Sequence, residues 1–353
     1  MISFSDKKDT TSLKVRQALV SREKQAFSDV KFNIFIFQKV KPFPCIWRRI
    51  QFSFLMMEHS SSQSTETQSQ TTHERKVNFE FPAGFNGLVS KIPAGADQVV
   101  YVNFANSNPE LSVILKKVVT NNMESAFFSN LRLSQGINRI LVSSYPGMFP
   151  EILYLIDVNK TKVFFTHESE DTYRGFKIKS NKGISLVDQT TPFLFGTTRM
   201  VAKTLDTISG EGDTLDSEIG NFTNRMPNGD YNLIIMLRGD AIRQIVSGKS
   251  SDFFDFYLAA YRINETPNGT FYEKVVLMNF TKNGWFVKSN KTTYYSYTNF
   301  KDGLSMAIMG DTNLTKLMQL EPEMRMIEIK PVEENSTGNS SSSSGNSSNN
   351  ITK

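Results

Sequence analysis

The stretch Tyr272–Ser289 reads YEKVVLMNFTKNGWFVKS. Two runs rich in Val, Leu, Met and Phe flank Asn283-Gly284. Asn-Gly between apolar runs is the strongest short-range hairpin signal, because both residues tolerate positive φ. The stretch predicts a β-hairpin, Tyr272–Phe280 against Trp285–Ser289, and with it an antiparallel β fold.

The pattern repeats in both directions. On either side of the hairpin, Tyr231–Leu237, Phe253–Ile263, Thr292–Tyr297, Leu304–Met309 and Met324–Lys330 read as strands. Pro227-Asn228-Gly229 and Pro267-Asn268-Gly269 punctuate them. Upstream, Val77–Phe81, Gln98–Phe104, Leu111–Thr120, Arg139–Ser143, Ile152–Val158 and Lys162–Thr166 form a first series. Turn signals at about ten-residue spacing indicate a sandwich or barrel. In Val99–Phe104 both faces are apolar, as in a strand covered on both sides. Arg199–Ile208 and Asp240–Val246 read as short helices.

Ile208–Asn224, ISGEGDTLDSEIGNFTN, separates the two series as a loop. The expected architecture is all-β: two tandem antiparallel β-sandwich, jelly-roll-like domains at 77–207 and 225–332, joined through 208–224. Residues 58–76 form a Ser/Thr/Gln-rich linker and 333–353 a Ser/Asn-rich tail that lacks the apolar residues to bury a core. No solenoid or propeller repeat is legible.

Charge is divided unevenly. Residues 1–57 hold 11 basic and 4 acidic residues, a net +7, and the remainder is −2. The arm interleaves Lys39, Lys41, Arg48 and Arg49 with Phe35, Phe37, Phe43, Trp47 and Phe52, which denies it a membrane-spanning run. It suits docking on a partner, an anionic membrane surface or nucleic acid. Alternatively the chain begins at Met56 or Met57, where the composition turns abruptly polar. The near-neutral body does not read as a nucleic-acid surface. The single cysteine, Cys45, excludes an internal disulfide framework and a Cys-based zinc ribbon.

Asn-X-Ser/Thr occurs at Asn159, Asn221, Asn264, Asn268, Asn279, Asn290, Asn313, Asn335, Asn339, Asn346 and Asn350. That is about twice what composition gives by chance, and none precedes residue 159. An exported, glycosylated chain with its second half outward would produce this pattern.

Few residues suggest chemistry. Asp206, Glu211, Asp213 and Asp216, among glycines, offer oxygen ligands for Ca²⁺, although their spacing is not that of an EF-hand. No other cofactor is expected, and a solvated acidic linker is the plainer alternative. His167, in THESED, reads as an exposed turn. Arg238-Gly239-Asp240 spells an integrin-type tripeptide that would need an exposed tip to bind a receptor. Trp285, Tyr294, Tyr295 and Tyr297 could stack on sugars or simply pack in a sheet. The sequence contains no nucleophile elbow, P-loop or dinucleotide fingerprint.

In architecture, tandem sandwiches resemble the jelly rolls of viral capsid and vertex proteins, with no motif specific to such a family. The leading expectation is a non-enzymatic structural or assembly protein of a virion or other surface particle. Its partners would be further copies or other structural subunits, outside the cell or on a particle, with intracellular assembly as the alternative. A carbohydrate- or receptor-binding module is the second expectation. A β-sandwich glycoside hydrolase is the third, for which no carboxylate pair stands out.

Overall fold

The computed structural model describes residues 78–326 except 124, 134–135, 148–150, 159–162, 246–252, 267–268 and 282–283. The arm 1–57 with Cys45, the linker 58–76 and the tail 333–353 lie outside the described residues. So do Asn159, Asn268, Asn335, Asn339, Asn346 and Asn350.

The first half of the chain holds β1 (Phe79–Glu80), α1 (Gly84–Val89), β2 (Gln98–Asn103), α2 (Pro109–Asn122) and α3 (Ser125–Phe128). Then come β3 (Leu131–Leu133), β4 (Arg139–Tyr145), β5 (Glu151–Asp157), β6 (Val163–Phe165), β7 (Ser169–Tyr173), β8 (Phe176–Asn181) and β9 (Ile184–Val187). It closes with β10 (Thr190–Thr191), β11 (Phe193–Thr197) and α4 (Thr198–Ile208). The second half holds α5 (Leu215–Thr223), β12 (Leu233–Arg238), α6 (Gly239–Ile245), β13 (Phe254–Thr266) and β14 (Gly269–Phe280). It continues through β15 (Gly284–Phe286), β16 (Tyr294–Asn299), β17 (Leu304–Asp311), α7 (Leu314–Gln319) and β18 (Met324–Met326).

Twelve strands make one sheet, in the order β16-β17-β14-β13-β12-β2-β4-β5-β11-β9-β8-β7. Every pairing in it is antiparallel. The β-rich, antiparallel expectation therefore holds. The layering differs from a sandwich, because helices, rather than a second large sheet, cover both faces among the described residues.

The two faces follow from strand alternation. Val100 and Val102 of β2 join one buried cluster with Ile140, Tyr154, Ile235, Val276 and the helices α2, α6 and α7. Val99 and Tyr101 join the other with Leu141, Leu155, Met236, Leu258 and the helices α1, α4 and α5. The doubly apolar Val99–Phe104 run is thus a central strand covered on both sides.

One half of the sheet echoes the other. Outward from the central β2–β12 pair, β2, α2, β4, β5 and β11 match β12, α6, β13, β14 and β17 in chain order and sheet position. Both crossover helices lie on the same face, as a two-fold axis normal to the sheet would place them. Each half then adds its own edge, β9-β8-β7 on one side and β16 on the other.

Three local expectations are corrected. Leu111–Thr120 is helical, not extended. Pro109 stands in its first turn, the Asn108 side chain accepts from Leu111 N, and Leu111, Ile114, Leu115, Val118 and Val119 form its buried stripe. The 208–224 loop contains α5, whose Leu215 and Ile219 are buried. The Asn283-Gly284 hairpin does not form a ladder: β14 pairs with β13 and β17, and β15 pairs with the distant β18. Gly284 fits there because a Cβ would stand 2.4 Å from the Phe280 ring.

Candidate association edge and acidic cleft

The sequence-predicted residues fall in separate places. Arg238 ends β12, and Gly239, at φ 49°, turns the chain into α6. The Arg238 Nη1 donates to Glu218 Oε2 at 2.5 Å, and Gly95 N donates to the same oxygen at 2.9 Å. The tripeptide is therefore a strand–helix junction anchored to α5, rather than a free loop tip.

That junction opens into a cleft of about 510 Å³, lined also by Asp97, Asp240, Asp255, Phe222 and Phe256. Asp255 accepts from the Asn279 amide at 2.8 Å. The Asp97 Oδ1 is sealed without a hydrogen-bond partner among the described residues. Burial raises the Asp97 carboxyl above its ordinary 3.8; backbone N–H groups and Arg238 oppose the shift, and Asp240 adds to it. Four carboxylates around one guanidinium suit a cationic guest better than an anion.

The four calcium candidates do not converge. Asp206 and Glu211 both grip the guanidinium of Arg174, with Arg174 Nε donating to Asp206 Oδ1 at 3.0 Å. The Tyr173 hydroxyl donates to the same oxygen at 2.8 Å. Arg174-Gly175 is the tip of the β7–β8 hairpin, both residues at positive φ. A side-chain cation thus occupies the position a metal would take between these two acids. Among the described residues, no three His, Cys, Asp or Glu side chains form a metal-holding group. His167 Nε2 lies 4.0 Å from Glu170, just before β7 and so at the opposite end of the β7–β8 hairpin from Arg174.

The sequons divide by setting. Asn221, Asn290 and Asn313 are exposed, whereas Asn264 and Asn279 are half-buried within β13 and β14. Asn313 is also the N-cap of α7, its Oδ1 accepting from Lys316 N at 2.8 Å.

The tyrosines define the second candidate site. Tyr294, Tyr295 and Tyr297 lie on β16, one edge of the twelve-stranded sheet. Its six residues, YYSYTN, include no charge, proline or glycine, and its pairing to β17 runs without a bulge. Tyr294 is 47% and Tyr297 44% exposed, large values for such side chains. The rings of Tyr295 and Tyr297 stand 6.1 Å apart and tilted by 44°, so they do not present one flat platform to a sugar. Burial, with Glu323 adding, pushes the Tyr295 hydroxyl up to about 12.

The opposite edge, β7, reads SEDTY and is exposed throughout. Glu170 and Asp171 guard it, with Lys177 Nζ donating to Glu170 at 3.3 Å. Charges at a sheet edge discourage strand addition, and their absence invites it. The sequence shows the Tyr-rich run of β16 as a strand but reads Glu170 and Asp171 as part of an exposed turn; that the two runs are the ends of one sheet is not legible in it.

Comparison with known proteins adds a relationship without an activity. A family model named AF_2048_N, described as a family N-terminal domain, matches residues 80–209. An Archaeoglobus fulgidus protein, named only as an uncharacterized protein, is 29% identical over 252 residues, covering 68% of this chain and 80% of its own. Among solved structures, crystal form I of TP0453 covers 65% of this chain and 94% of its own, at 10% identity and a TM-score of 0.37. Crystal form III covers 66% and 98%, also at 10% identity, with a TM-score of 0.32. No helix among the described residues is long and apolar enough to cross a membrane.

Proposed function

We propose that this chain is a non-enzymatic assembly module, a sheet scaffold with two domain-like halves that takes up an extended partner strand along β16. One observation carries the reading: the sheet has one uncharged, tyrosine-rich edge and one acidic edge. Strand addition draws affinity from main-chain hydrogen bonds and specificity from alternating side chains, and β16 offers both. A location outside the cell or on a particle belongs to the same proposal, supported by the exposed sequons Asn221, Asn290 and Asn313.

Hydrogen exchange tests it. In material recovered in its native association state, amides of Tyr294–Asn299 should exchange more slowly than in dilute purified chain, with Ser169–Tyr173 unchanged. Equal exchange at β16 in both preparations would remove the proposal.

A second reading, a binding module for cationic ligands, is favoured by the acidic lining of the cleft, Asp97, Glu218, Asp240 and Asp255 around the single guanidinium of Arg238. Calorimetric titration with a polyamine tests it, with Asp240→Asn and Asp255→Asn weakening any binding heat. No heat from the parent chain would end it.

A further inference from the structure

We infer that the strand added to β16 is β16 of a second copy of this chain, joining two sheets antiparallel across a two-fold axis. The inference rests on the strand-addition reading and names its partner.

The edge chemistry favours a closed pair. Joining β16 to β16 consumes an edge that is unpaired among the described residues of both copies and leaves the two guarded β7 edges outermost. A head-to-tail β16-to-β7 contact would set tyrosines against Glu170 and Asp171, and would leave an open edge on each added copy. Isologous contacts close, whereas heterologous ones propagate.

Symmetry then restricts the register. A two-fold axis normal to the sheet keeps each face on its own side, so facing residues must share parity along the strand. With Ser296 on the axis, Tyr295 faces the partner's Tyr297 on one side of the sheet. Tyr294 faces the partner's Thr298 on the other. Both pairs occur twice, and aromatic–aromatic and aromatic–β-branched pairs are the favourable cross-strand combinations. Within the paired segment no like charges meet, because β16 carries none. Asn299 is not required in this register; its amide is already bonded to both the N and O of Phe286, at 3.1 Å each.

The experiment uses the full chain with Cys45→Ser, so that no native thiol remains. Sedimentation velocity should show the mass double with concentration and then stop. Ser296→Cys should oxidise to a disulfide-linked dimer. Tyr297→Lys should remain monomeric and melt where the dilute, dissociated parent melts, and Glu170→Lys should still dimerise. A parent chain that stays monomeric, or a dimer that survives Tyr297→Lys and does not cross-link through Ser296→Cys, overturns the inference. If the purified chain is monomeric while native material still protects β16, self-pairing falls and strand addition to another partner stands. If neither occurs, both readings fall.

Discussion

The ammonium of Lys274, on β14 and fully buried, lies 2.9 Å from Glu321 Oε1. It also donates to Leu320 O at 2.6 Å and sits 5.4 Å from the Tyr261 ring centre. The Tyr257 hydroxyl donates to the same carboxylate at 3.1 Å. Burial, the largest single influence, would lower the lysine pKa, but Glu321 and the Tyr261 hydroxyl together outweigh it and hold it raised. The network ties the segment after α7 to the middle of the sheet.

The two partners differ in what they leave behind. Glu321→Ala strands a buried ammonium, while Lys274→Met leaves a carboxylate that reaches water. Removing one member of a buried pair costs about 3–5 kcal/mol. Glu321 is 41% exposed, so solvent screening reduces this to about 1–3 kcal/mol for Glu321→Ala. Lys274→Met should cost less. Denaturant titration of both variants checks the order, and the reverse order would refute this account of the pair.

Asp97 gives a pH dependence. Its folded carboxyl titrates above the ordinary 3.8, so the folded state binds the proton more tightly than the unfolded chain. The stability this contributes is full below 3.8 and is lost as pH rises through the folded value. Asp97→Asn removes the loss. Its melting temperature should therefore gain on the parent as pH rises above 3.8. Parallel melting curves across that range would show that Asp97 is not the group responsible.

Arg174 predicts calcium behaviour. Because its guanidinium already occupies the space between Asp206 and Glu211, added Ca²⁺ should not move the melting temperature of the parent chain. Arg174→Ala frees both carboxylates, and a calcium-dependent rise should emerge only in that variant. Calcium stabilisation of the parent would restore the four-acid site expected from the sequence.

Asn313 separates a cap from a glycan. In protein made without glycosylation, Asn313→Ala should lose about 1 kcal/mol through the cap of α7, and Asn313→Asp should keep it. In glycosylated material, peptide mass spectrometry should find sugar at exposed Asn221, Asn290 or Asn313. Asn279 should be bare, since its amide is engaged with Asp255 inside the sheet. Sugar on Asn279 would contradict the strand placement.

Much of the β structure was legible residue by residue. Runs such as Gln98–Asn103 and Leu233–Arg238 carry β-branched and aromatic side chains whose fit to a pleated surface is local. The nearly continuous apolar run Val99–Phe104 already marked a strand covered twice. Two signals were present and misread. Pro109 with the i, i+3, i+4 spacing of Leu111, Ile114 and Leu115 marked a helix that its valines obscured. Arg174-Gly175 and Lys182-Gly183, all at positive φ, turn two tight hairpins that the charged residues around them disguised.

The sequence by itself determined the antiparallel β character, the two short helices read at Arg199–Ile208 and Asp240–Val246, and the uncharged composition of β16. Only the tertiary structure decided that β2 joins β12, that β15 leaves its Asn-Gly neighbour for β18, and that β16 and β7 are opposite ends of one sheet. The reason is physical. Side-chain alternation and turn chemistry act over a few residues and are written in order. Strand pairing is settled by which distant apolar faces bury each other, and an edge is defined by the neighbour it lacks.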